Sequence, residues 1–161
     1  MHRPPSPLRV AVAIVAGVLF AFAAASPASA AASQFEVKDL GEDLCTEYYS
    51  AGEAEWPRII VVPTVDVVGK ATTTKHYDRP CLRVEPRTRH LEFIAFSRDQ
   101  AVDFHRQPLS NQESSFEYRF TLSAAVTEPI EYVTVAICID EPDIGLPDRQ
   151  CTEPVVLFPT R

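Results

Sequence analysis

Beyond residue 30 the chain alternates between apolar and polar positions. In Phe116–Ala124, the residues Phe116, Tyr118, Phe120, Leu122 and Ala124 share one face, while Glu117, Arg119, Thr121 and Ser123 share the other. In Ile130–Ile139, a stripe of Val133, Val135, Ile137 and Ile139 faces away from Tyr132, Thr134, Ala136 and Cys138. A repeat of two built from β-branched and aromatic residues marks a half-buried strand, because successive side chains leave a pleated backbone on opposite sides. The same logic predicts strands at Ser33–Asp39, Leu44–Tyr49, Arg58–Val68, Thr72–Tyr77, Cys81–Glu85, His90–Ser97 and Thr152–Phe158. No stretch keeps apolar residues at helical spacing for three turns.

Two features qualify that pattern. Ile59–Val62 is apolar throughout and is expected to be a central strand buried on both faces, with Pro63 marking a bulge or a change of sheet. Asp99–Ser115 is the least patterned segment and is expected to be a loop with a short strand or a turn of helix. About seven to nine short antiparallel strands separated by turn signals predict an all-β, immunoglobulin-like two-sheet sandwich.

The first thirty residues follow a different rule. Arg3 and Arg9 precede an unbroken apolar run, Val10–Ala25; Ser26-Pro27 breaks it, and Ala28-Ser29-Ala30 offers small side chains to a peptidase. The run is shorter than the roughly 20 residues a membrane-spanning helix needs. The layout predicts a secretory signal over residues 1–30, removed to leave residues 31–161 as a single domain with no membrane anchor. A chain of that length supports one core. The expected location is secreted and extracellular.

Charge narrows the partners. Loss of Arg3 and Arg9 takes the net charge from −7 to −9, which repels nucleic acid and anionic membrane. Nucleic acid is therefore not an expected partner.

Four cysteines remain: Cys45, Cys81, Cys138 and Cys151. An even count in an exported domain reads as two disulfides. By parity each sulfur lies off the apolar face, with Cys138 on the side of Tyr132, Thr134 and Ala136. That disfavours a buried bridge between sheets and predicts the local pairs Cys45–Cys81 and Cys138–Cys151. No C-x-x-C pair or Cys/His cluster is present, so no metal or cofactor site is expected.

Catalytic chemistry finds little support. His76, His90 and His105 stand 14 and 15 residues apart, and no serine sits in a nucleophile-elbow context. Paired carboxylates are unavoidable among 22 acids and single out no glycosidase pair. A small extracellular hydrolase is the third-ranked function, and the protein is expected not to be an enzyme.

Binding is the first expectation, at two places. The loop between Cys138 and Cys151 holds Pro142 and Pro147 and places Ile144 and Leu146 near its tip. A stiffened loop with apolar tips suits docking to a protein, and a protease inhibitor presenting it is the second-ranked function. Its acids, Asp140, Glu141, Asp143 and Asp148, lack the order of a calcium-binding hand. The second place is basic: residues 70–98 carry seven cations against three acids. There Tyr77, Arg79, Arg83, Arg87 and Arg89 would receive an extracellular protein or an anionic cell-surface polymer. Pairing of the same cations with the acidic ends of the domain is the competing expectation.

Overall fold

The computed structural model describes residues 32–57, 61–84, 87–139 and 150–160. The N-terminal apolar run and the loop tip with Ile144 and Leu146 lie outside the described residues. Eight strands follow in order: Ser33–Leu40 (β1), Thr46–Glu55 (β2), Thr64–Lys75 (β3), Arg89–Ser97 (β4), Gln100–Leu109 (β5), Ser114–Ser123 (β6), Tyr132–Ile139 (β7) and Val155–Leu157 (β8). All pairings are antiparallel. They form two four-stranded sheets, β1-β2-β3-β6 and β5-β4-β7-β8. The protein is an all-β two-sheet sandwich, and its likeness to immunoglobulin domains is one of architecture.

The apolar stripes meet between the sheets. Val65, Val67, Tyr118 and Leu122 of the first sheet pack toward Leu91, Val133, Val135 and Ile137 of the second. Phe93 stands at the centre, with Phe35, Tyr118 and Phe120 presenting rings edge-on at 5.7, 5.8 and 4.9 Å. Edge-to-face contact places positive ring edges on negative ring faces, and such pairs contribute about 0.5–1.5 kcal/mol beyond area burial.

Four sequence expectations change. First, β3 runs unbroken through Gly69, where alternation had suggested two strands. One cross-strand row reads Phe35, Gly52, Gly69, Tyr118. A Cβ at Gly69 would overlap the Tyr118 ring, and one at Gly52 would overlap Val68 O and the Phe35 ring tip. The glycines are the floor on which two buried aromatic rings lie, so they mark close approach and not a break.

Second, Asp99–Ser115 is mostly strand. Arg98 and Asp99, with φ of 49° and 62°, make the tight β4–β5 turn between Ser97 and Gln100. Two successive left-handed residues are what the right-handed twist of a two-residue hairpin demands, but the usual Asn-Gly signature is missing. Third, Val61 is 83% exposed and Val62 is also exposed, so this part of Ile59–Val62 is not buried; Ile59 and Ile60 lie outside the described residues. Pro63 simply precedes β3. Fourth, the described part of Cys81–Glu85 is irregular and exposed. Pro80 and Pro86 flank it, and a proline at each end removes the donors that ladder pairing needs.

The disulfides are Cys45–Cys81 and Cys138–Cys151, the pairs expected from parity. Cys45 and Cys138 are themselves buried, at 2% and 1% exposure, yet neither joins the inter-sheet core. Both bridges gather at one end of the sandwich, where β1 ends and β2 begins, β3 ends, β4 begins and β7 ends.

Candidate binding surface

The β1–β2 connection at this end is built around one carboxylate. Asp43 Oδ1 accepts the backbone N–H groups of Cys45 (3.0 Å) and Thr46 (2.8 Å), and Oδ2 accepts the Thr46 hydroxyl at 2.6 Å. Partial burial would raise the Asp43 pKa, but the Thr46 hydroxyl and these N–H groups outweigh it and hold it below the ordinary aspartate value. Leu44 takes a left-handed φ of 59° to close the turn, and Gly41 N donates to Thr46 O at 2.7 Å.

Onto this platform the chain leaving β3 is strapped. His76 N donates to Cys45 O, Leu82 N donates to Asp43 O, both at 2.9 Å, and Cys81 is bonded to Cys45. The strap, residues 76–84, is irregular but tied at its start, at Cys81 and at Leu82. It exposes Tyr77 (76%), Leu82 (52%) and Val84 (45%), with Arg79 and Arg83 open between them. Among the described residues no ion pair engages either arginine.

The other two basic candidates do something else. Arg89 is buried, with its side chain only 2% exposed. Its Nε donates to Asp39 Oδ2 at 2.8 Å and its Nη1 to Glu42 Oε2 at 3.1 Å. The guanidinium carbon lies 4.6 Å from the centre of the Tyr48 ring. Burial would lower the Arg89 pKa, but hydrogen bonds to Asp39 and Glu42 raise it above its ordinary value. Arg87 Nε joins Glu42 Oε1 at 2.8 Å, and its Nη2 reaches Gln150 Oε1 at 3.3 Å. Burial of Glu42 is likewise outweighed, by its own backbone N–H and by the two arginines, and its pKa falls to about 2. Arg89 is thus removed from any contact surface: it locks β4 of the second sheet to the β1–β2 hairpin of the first. For Arg87 and Arg89, pairing with the acidic N-terminal hairpin is what the structure contains.

No family model, curated protein or solved structure matches this chain. Two disulfides are typical of extracellular proteins.

The remaining chemistry is dispersed. His76 Nε2 lies 3.7 Å from Glu47, and His90 Nε2 lies 3.7 Å from Glu92. His105 stacks on Phe120 with centres 3.8 Å apart. Glu92 lies with Cys138 and Cys151 in a cluster of metal-type donors within 4.8 Å, but the sulfurs are joined to each other and offer no thiolate to a metal. A shallow depression of about 740 Å³ opens over Ala51 and Gly52 of β2, edged by Glu36, Glu53, Lys70 and Glu117 and reaching Val155 of β8. Leu82 and Val84 are the residues that sequence patterning missed as exposed apolar groups. The flanking Pro80 and Pro86 were the available signal, since they deny residues 81–85 a regular strand.

Proposed function

We propose that the protein is a secreted, non-catalytic binding module whose strap, residues 76–84, engages an acidic site on another extracellular protein. One observation carries this: three apolar side chains stand open to solvent among two exposed arginines, which form no ion pair among the described residues, on a segment fixed to the fold. Tyrosine and arginine dominate energetic hot spots because each combines apolar area with directed polar contacts. Anchoring by the disulfide and two backbone hydrogen bonds removes much of the ordering cost a free loop would incur on binding. Two cations among three apolar groups suit an apolar depression rimmed by carboxylates better than a uniformly anionic polymer, which would favour a row of cations.

The test presents wild-type protein and Tyr77→Ala/Arg79→Ala/Arg83→Ala on beads to culture supernatant and envelope proteins, with elution by rising salt. The expected result is a protein retained by wild type and lost, by more than about tenfold, from the triple variant. Equal retention by both ends the proposal. Secretion has its own test: the exported protein is expected to begin at or next to residue 31.

A further inference from the structure

The two outer sheet faces differ in character. The outer face of the first sheet is polar, with Gln34, Glu36, Lys38, Glu53, Asp66 and Lys70 along β1, β2 and β3. The outer face of the second is divided. At the disulfide end lie Arg106, Glu92 and Ala136, with Arg106 Nε bonded to Glu92 Oε2 at 2.9 Å. Toward the other end come two apolar rows. The first crosses the sheet as Phe104, Ile94, Thr134 and Val156, with Phe104 65% and Val156 44% exposed. In the second, Ala101, Phe96 and Tyr132 are paired across β5, β4 and β7, and Phe158 follows at the β8 edge, 59% exposed. Phe96 and Tyr132 stand as a stacked pair with centres 4.8 Å apart, and Phe158 lies 5.9 Å from Tyr132. A contiguous apolar patch spanning all four strands is what monomeric surfaces seldom leave open.

We infer that this face packs against the same face of a second copy of the chain. Two sheets stack face to face about 10 Å apart when their side chains interdigitate. A two-fold axis parallel to the strands, between β4 and β7, sets β5 of one copy over β8 of the other. Bulky groups then meet small ones: Phe104 faces Val156, and Phe158 faces Ala101. Phe96 faces Tyr132, and Arg106 faces the apolar end of β8, so no like charges are superposed. At the turn end, Glu131 Oε2 accepts the backbone N–H of Arg98 in its own chain at 3.1 Å, while the exposed Arg98 guanidinium comes toward the exposed Glu131 carboxylate of the other copy, an opposite-charge pair formed twice by the symmetry.

The charge balance selects this occupant over others. The chain carries −7, but on this face Arg106 offsets Glu92 and Arg98 offsets Glu131, leaving Asp99, which accepts the Tyr132 hydroxyl at 3.1 Å, in a nearly neutral contact where two acidic molecules repel least. An anionic bilayer would require a surplus of cations that the face lacks. Its size fits a modest dimer. Three strands about 4.8 Å apart and about seven residues long, with the three-residue β8 at the edge, span roughly 390 Å² in projection, below stable interfaces until side-chain relief is added. Association is therefore expected in the micromolar range and above.

Sedimentation equilibrium from low-micromolar to near-millimolar protein tests the inference. The mass of wild type is expected to rise from one chain to two. Phe104→Glu/Phe158→Glu is expected to stay monomeric with an unchanged thermal midpoint, both residues being mostly exposed. Arg98→Glu and Glu131→Arg are each expected to weaken the dimer at least several-fold, because each sets like charges together. Mixing the two proteins is expected to restore association, since every cross-copy pair is then opposite in sign. Wild type that stays monomeric at the highest concentration overturns the inference. So does a dimer indifferent to the Phe substitutions, or a mixture no tighter than its components. The strap variant Tyr77→Ala/Arg79→Ala/Arg83→Ala is expected to dimerise normally, so this surface stands or falls apart from the binding role of residues 76–84.

Discussion

Arg89 shows how far one residue's neighbours decide its role. Its position among seven cations suggested an exposed contact, yet its first-sheet partners Asp39 and Glu42 take the guanidinium out of water. Removing Arg89 leaves the half-buried Asp39 and Glu42 carboxylates without their counter-charge and an unfilled space against the Tyr48 ring. Arg89→Ala is expected to lower stability by about 3 kcal/mol in urea unfolding. Arg89→Lys is expected to recover only part of that, because an ammonium cannot fork between two carboxylates. Glu42 carries the pH dependence. Its carboxylate is held near 2, below the ordinary 4.5, so its contribution is complete above about pH 4.5 and is lost as pH falls toward 2. With the group partly open to solvent, screening leaves about 1–2 kcal/mol. Glu42→Gln is expected to be less stable than wild type at neutral pH and to converge with it at the acid end of a thermal-melt series.

Among the elements, β6 and β1 were legible because each buries one face and wets the other, and β4 and β7 because apolar residues alternate along them, although both are buried on both faces toward the disulfide end. β5 was not. It is an edge strand whose inward positions include Asp103, His105 and Gln107, so the contrast between its faces is weak, and its turn uses Arg98-Asp99 where a glycine would have announced it. Gly69 misled for a related reason: composition shows a missing side chain but not the ring that fills the space above it. That ring is constrained. Tyr118 Oη lies 2.7 Å from Ser50 Oγ, and burial pushes its pKa up to about 12 against the opposing effect of that hydrogen bond. Gly69→Ala is expected to displace the ring, costing about 1–3 kcal/mol and lowering the Tyr118 titration midpoint by ultraviolet absorbance. Gly52→Ala meets backbone, Val68 O, which cannot step aside, and is expected to be the costlier change. In the candidate surface, the exposure of Tyr77, Arg79 and Arg83 follows from their setting beside Pro80. The burial of Arg89 depends on which hairpin folds over it, and local pattern does not contain that information.

For the molecule as a whole, the two disulfides separate stability from recognition. In the loop-entropy model, the bridge closing 36 residues contributes about 4 kcal/mol and the one closing 13 about 3 kcal/mol. Cys45→Ala/Cys81→Ala is expected to lower the thermal midpoint and also to weaken partner retention, because the strap loses its tether while keeping Tyr77, Arg79 and Arg83. Cys138→Ala/Cys151→Ala is expected to cost similar stability and leave retention intact. Both bridges and the Arg89 lock sit together, whereas the far end has non-covalent ties such as Trp56 Nε1 donating to Ile130 O at 3.1 Å. Such a molecule frays in one direction. Amide protons around Ser97–Gln100 and Ala125–Ile130 should trade for deuterium through small local openings, and those of Thr46 and Ile137 only when the whole chain comes apart.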